Sequence, residues 1–151
     1  MKKIFAGWLM TICAAAVFST ALAPSASADG HEIKYRKAVM KAVGGAMSGL
    51  AAVVKQQAPA EHAVPLARVM NDLAAVVPDV FPASSDFGDT TALPAIWEKP
   101  GEFKAAVDAF TAAAAALPAA AAAGGDAYRA AFGALGKSCK GCQTNFREKK
   151  S

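Results

Sequence analysis

Histidine is almost missing from this chain: His31 and His62 are the only two in 151 residues. That scarcity excludes an imidazole-rich metal centre and leaves little for Ser-His-Asp chemistry. Cysteine is nearly as rare, with Cys13, Cys139 and Cys142 making three, so no disulfide framework holds the fold. Charged residues are 19% of the chain and the net charge is +4. This excludes a disordered polyelectrolyte, and no dense Lys/Arg stripe interleaved with aromatics offers a nucleic-acid surface. No segment alternates polar and apolar residues long enough to read as a strand. No internal repeat, phosphate-binding loop or paired-carboxylate constellation stands out, so an enzyme is not indicated. What is abundant is apolar sequence, 54% of the chain, and much of it is alanine, which loses no side-chain entropy in a helix. The length is one domain's worth.

The N-terminus reads as a targeting segment. Lys2 and Lys3 precede an apolar run from Ile4 to Ala23, and Pro24 and Ser25 break it. Ala26-Ser27-Ala28 places small residues where a signal peptidase cuts, so residues 1–28 are expected to be a secretory signal peptide removed before Asp29. An uncleaved anchor is the rival reading, because the run approaches spanning length. After cleavage the chain is expected not to be membrane-embedded. Removal leaves 123 of the 151 residues, with 14 basic against 12 acidic side chains, and Cys139 and Cys142 as the remaining cysteines. A chain of that size buries about two-thirds of its surface and forms a core without covalent staples. The cysteine pair therefore needs a chemical reason.

Four helical stretches are predicted. The first, 31–57, repeats Ile33, Met40, Met47 and Val54 every seven residues, with Arg36, Val43 and Leu50 between them, as in a bundle seam. Gly44, Gly45 and Gly49 lower its propensity but would let a neighbour or ligand approach the backbone. The second, 60–77, carries Leu66, Met70, Leu73 and Val77, with Pro65 tolerable in its first turn. Pro78 to Pro100 reads as a long ordered loop whose Phe81, Phe87 and Trp97 plug the core. The third begins near Pro100 and carries Phe103, Val107, Phe110, Ala114 and Leu117. Pro118 is expected to stop or kink it, leaving the alanine run to Gly124-Gly125 as a frayed end and connector. The fourth starts at Asp126, a plausible N-cap, and places Tyr128, Phe132, Leu135, Cys139, Cys142 and Phe146 on one face. Basic residues at its end suit the helix dipole. The expected fold is all-α, an antiparallel four-helix bundle with one long connection between helices two and three.

Both cysteines thus fall on the inward seam of the last helix, one turn apart. Four chemistries compete for them. A thioredoxin-like pair opens a helix that follows a strand, whereas this pair sits near a helix end. A zinc or iron–sulfur site needs further ligands that the two histidines do not supply at suitable spacing. A plain disulfide would close a tiny loop and stabilise little. Covalent haem attachment needs two thiols one turn apart facing a cavity, normally followed at once by an iron-ligating His. Here the motif is Cys139-Lys140-Gly141-Cys142-Gln143, so the His position holds Gln. The motif alone leaves these readings open.

The surrounding residues add a resemblance. Arg129-Ala130-Ala131-Phe132-Gly133, then Ser138-Cys139-Lys140-Gly141-Cys142, then Asn145-Phe146-Arg147 closely resembles the C-terminus of the cytochrome c′ family. Lys34-Tyr35-Arg36-Lys37 and Pro94-Ala95-Ile96-Trp97 followed by Phe103-Lys104 are similar to the same family, in the same order. The resemblance implies a periplasmic four-helix bundle, often a homodimer, with one covalent haem c, that carries electrons to redox partner proteins or binds small gases such as NO and CO. It implies Cys139 and Cys142 as the thioether cysteines and Gln143 at the proximal ligand position. It further implies Arg147 as a basic residue near that ligand, Arg36 as an arginine close to the haem, and Met40 at the distal position. A neutral amide oxygen is a weak donor to iron, which leaves three outcomes. Gln143 coordinates weakly or through water, His31 or His62 ligates instead, or Met40 is the only strong protein ligand. The alternative is a haem-free helical-bundle paralogue, a binding module with a thiol or disulfide pair.

Overall fold

The computed structural model describes residues 30–83 and 85–149; the expected signal peptide lies outside them. Helix α1 is His31–Val54, α2 is Ala63–Val76, α3 is a single turn at Ala95–Glu98, α4 is Pro100–Ala123 and α5 is Gly125–Phe146. The four long helices form the expected bundle, and among the described residues there is no strand, only an isolated bridge between Ala92 and Arg147.

Local chemistry sets the ends. α1 stops at Val54 rather than Gln57 because Gln56 turns left-handed, φ 58°, and Pro59 follows. α2 is preceded by a 3-10 turn at Ala60–His62 and followed by another at Val77–Val80, so the second predicted helix is one axis with tightened ends. The long connection after it holds α3. α4 runs through Pro118 to Ala123. The expected stop there is corrected: Ala114, Leu117 and Ala121 are buried on both sides of the proline, and that packing carries the helix past the missing donor. Gly124 alone joins α4 to α5, at φ 69° and with Gly125 at φ 53°, a backbone that a side chain would strain. Gly124, not Asp126, is the N-cap of α5. Asp126 sits in the first turn and accepts from Arg129 at 2.6 Å.

The core lies where α2 packs against α1 and α4, and where α4 packs against α5. Leu50, Met70, Leu117 and Leu135 are fully buried there, with Ala67, Ala74 and Ala114 between them. Each leucine contributes on the order of 2–5 kcal/mol by comparison with Ala. α1 and α5 touch only sparingly, and the space between them is the cavity described below. Gly49 is the glycine of α1 that permits close approach, since a Cβ there would meet Leu66 Cδ1 at 3.2 Å. Gly44 and Gly45 face open space. Phe87 is 58% exposed, so it is not a core plug; Phe81 and Trp97 are half-buried.

Candidate functional site

Periodicity brings Met40, Val43 and Met47 to one side of α1 and Cys139 and Cys142 to one side of α5. These residues line a mostly apolar cavity of about 660 Å3, together with Phe81, Phe103 and Phe146. The aromatics form an edge-to-face run, Phe81–Phe103 at 4.9 Å and Phe103–Phe146 at 5.2 Å between centroids. Gly136 lets α5 pass Met47, whose Cε lies 3.5 Å from where its Cβ would stand. The C-terminal rim is pinned: Leu93 N donates to Phe146 O at 3.0 Å and Glu148 N to Thr91 O at 2.8 Å. The end of α5 thus borrows partners from the long connection.

Arg36 is the buried charge of this site, 3% exposed. Its Nη1 donates to Ser85 Oγ at 2.7 Å, and its Nη2 donates to Ser85 O at 2.8 Å and Thr90 Oγ1 at 2.9 Å. The guanidinium lies 5.2 Å from the Phe81 ring centroid and 5.7 Å from that of Trp97, within cation–π range. Trp97 Nε1 in turn donates to Pro82 O at 3.0 Å. Burial pulls the guanidinium below its ordinary pKa, yet Arg remains a cation. No carboxylate pairs with it among the described residues. Neighbouring Lys37 is paired with Asp89 at 2.7 Å, which holds the Asp89 carboxyl below its usual range. Arg36 therefore ties the long connection to α1 and leaves one uncompensated positive charge in the cavity wall.

The two cysteines are free thiols, both half-buried. Burial pushes the Cys139 thiol up, against smaller opposing hydrogen bonds, and burial together with the neighbouring Cys139 pushes Cys142 up. Both are protonated at neutral pH, the reverse of an activated redox pair. All six residues singled out in the sequence, Arg36, Met40, Cys139, Cys142, Gln143 and Arg147, line this one cavity. Gln143 and Arg147 are exposed at its rim and Met40 is half-buried. His31 and His62 are exposed and outside the lining. Sequence reasoning missed Ser85 and Thr90, whose role depends on a contact 49 and 54 residues away from Arg36 and leaves no local signal.

A helical bundle with paired thiols on the wall of an apolar slot between its first and last helices is a haem-protein architecture. The family model described as Cytochrome C' matches residues 31–147, and the chain belongs to the cytochrome c′ family. Proteins of this family carry covalently attached haem c. Cytochrome c′ of Pararhodospirillum photometricum is 40% identical over 122 residues, 77% of this chain and 95% of that protein. Cytochrome c-556 of Agrobacterium fabrum is 35% identical over 144 residues, 94% and 97% of the two chains. The crystal structure of cytochrome c′ from Rubrivivax gelatinosus superposes with a TM-score of 0.74 at 33% identity, covering 79% of this chain and 96% of that one. A nitric oxide complex of a variant of cytochrome c prime from Alcaligenes xylosoxidans matches with a TM-score of 0.71 at 35% identity, covering 78% and 94%.

The residues present fit that group in most respects. The cavity has the size of a small-molecule site, its wall is apolar, the two thiols open onto it and one buried cation stands ready for a carboxylate. The misfit is local, an amide at Gln143.

Proposed function

We propose that the chain is a periplasmic c-type cytochrome whose haem is joined through Cys139 and Cys142 and which works as a one-electron carrier. The observation that carries the reading is the pair of neutral thiols on α5 opening into an apolar cavity across from Met40 on α1. Bound haem c supplies an iron centre that changes charge by one electron. The chain does the rest. Cys139 and Cys142 would hold the group through thioether bonds, a linkage that adds each S–H in full and releases no leaving group. Val43, Phe103 and Phe146 exclude water. Arg36 offers its charge to an anionic substituent in a wall where such a pair is strengthened by low dielectric. Met40, in the cavity lining, would offer a thioether sulfur to the metal, which favours electron transfer over an open gas site. Gln143 can offer only an amide oxygen. In this reading residues 1–28 direct export and are removed, and the mature chain forms a homodimer.

Intact mass and absorption spectroscopy of the purified mature protein test the proposal. One added haem mass, an N-terminus at Asp29 and a reduced spectrum unchanged by CO are expected. A CO-shifted spectrum would instead place the protein among gas binders of the NO and CO type. A bare polypeptide mass, no Soret band and two titratable thiols would reject the haem reading and leave the thiol-pair module. Sedimentation at two concentrations reads the dimer.

A further inference from the structure

The rim of the cavity is basic on both of its helical walls. On α1, Lys37 and Lys41 line it one turn apart. On α5, Arg147 lines it too, and with Gln143 opens into a second recess of about 350 Å3 that adds Lys140 and Lys149. Buried Arg36, in the same lining, adds its charge. The carboxylates of the two linings are Asp89, taken up by Lys37 at 2.7 Å, and Glu148. Lys41, Lys140, Arg147 and Lys149 join no ion pair among the described residues. Away from the rim the balance reverses. Lys99, Lys104 and Arg129 are each paired with a nearby carboxylate. Six described carboxylates, from Glu32 to Glu98, stay unpaired against Lys34, Lys55, Arg68 and Lys137. The molecule is thus polarised, positive around the slot and slightly negative elsewhere. Tyr35, Val69 and Phe87, the large hydrophobic side chains that stand exposed, lie outside both linings. A bilayer would meet charge at the rim and no large exposed apolar side chain to insert. Gly44, exposed in the cavity lining with open space where a Cβ would stand, leaves the α1 backbone bare beside Lys41, so a broad surface can come close. We propose that this rim docks a one-electron partner protein whose surface is acidic around its own redox centre, held face to face over the slot.

The inference rests on the haem reading and adds to it a class of partner and a docking face. The rim cations are exposed, so they steer and orient the partner rather than hold it tightly, and salt screens them. Each exposed pair is weak, which suits a carrier that must let go after exchange. One electron crosses between the two centres; no atom or proton is transferred and no bond forms.

The test titrates the haem-loaded protein with poly-L-glutamate and follows its backbone amide shifts. Shifts are expected to concentrate on Lys41, Gly44, Gln143 and Thr144, and affinity to fall as salt rises from about 0.05 to 0.5 M. Removing three rim charges, in the Lys41→Gln, Lys140→Gln, Arg147→Gln variant, should weaken binding about fivefold or more. The Lys55→Gln, Arg68→Gln, Arg129→Gln variant carries the same net charge and should weaken it less than about twofold. Electron exchange gives a second readout. Anionic hexacyanoferrate(III), which accepts the one electron, should oxidise the rim variant about threefold or more slowly than the native protein, and cationic hexaamminecobalt(III) should oxidise it faster. Shifts spread evenly over the surface, equal losses in the two variants, or rates that ignore the sign of the reagent would each overturn the proposal. So would binding of the native protein, but not the rim variant, to vesicles of equal parts phosphatidylcholine and phosphatidylglycerol at a salt concentration where poly-L-glutamate does not bind, which would assign the rim to a membrane surface. A chain without the added haem mass sinks the haem reading and with it the partner's redox role; a loaded chain that ignores poly-L-glutamate sinks the docking face alone.

Discussion

Arg36 shows how one side chain joins the long connection to the helices. Its three hydrogen bonds, to Ser85 Oγ, Ser85 O and Thr90 Oγ1, are charge-assisted and buried, and such bonds are worth more than neutral ones. Arg36→Ala is expected to destabilise the protein by about 2–4 kcal/mol in urea denaturation, because it removes these bonds and uncovers the faces of Phe81 and Trp97. A loss below about 0.5 kcal/mol would show that the connection holds itself. The cysteines make a second prediction at this scale. Their pKa values are raised in the folded chain, chiefly by burial, so the folded state keeps its thiol protons more tightly than the unfolded state. Stability of the unmodified chain is then full below the ordinary thiol pKa and declines as pH rises through it toward the folded value. A thermal melt series from neutral to alkaline pH on haem-free protein checks this. The decline should shrink when Cys139 and Cys142 are both replaced by Ser.

At the scale of elements, Pro118 separates what a helix tolerates from what it prefers. It lies inside α4, and its ring leaves the Ala114 carbonyl without an intrahelical donor. Pro118→Ala is expected to stabilise the protein by about 1–2 kcal/mol in urea denaturation, the restored bond outweighing the looser unfolded chain. A destabilising result would mean that the bundle packs on the proline-bent shape. The same helix marks a limit of sequence reading. The long helices were visible in periodicity, and α5 was read closely, with Tyr128, Leu135 and Phe146 buried and the cysteines facing the slot. α1 was read in part: Ile33, Arg36 and Leu50 of its seam are buried, Met40, Val43 and Met47 proved to be cavity wall, and Val39, Ala46 and Val53 are buried beside the seam. Spacing reports that a face is apolar, not whether a helix or a ligand lies across from it. In α2 the spacing favoured Leu66 and Leu73, yet Ala63, Ala67 and Ala74 are more deeply buried, because small side chains let the helices close on one another. Pro118 and Asp126 misled for a related reason: local propensity is weaker than the packing around it.

For the whole molecule, the core and the cavity occupy different sides of the bundle. Fully buried Leu50, Met70 and Leu117 unite α1, α2 and α4, whereas α1 and α5 touch only sparingly, as where Tyr128 Oη donates to Leu50 O at 3.1 Å, and are otherwise parted by a slot of about 660 Å3. Met40, Val43, Phe103 and both cysteines are only partly buried where they line the slot, and exposed apolar surface and unmade dispersion contacts both cost stability. A filled slot and an unfilled one should therefore differ unevenly along the chain. The Cys139→Ser, Cys142→Ser variant, which cannot attach haem, is expected to melt about 10 °C or more below the loaded protein. Its far-UV signal should persist, since the α2–α4 side needs nothing from the slot. Amide exchange locates the loss: protection should fall most in α1 around Met40 to Met47 and in the last turns of α5, and least in α2 and the middle of α4. Uniform loss across all four long helices would mean that the bundle is a single cooperative unit and that its core does not stand apart from the slot.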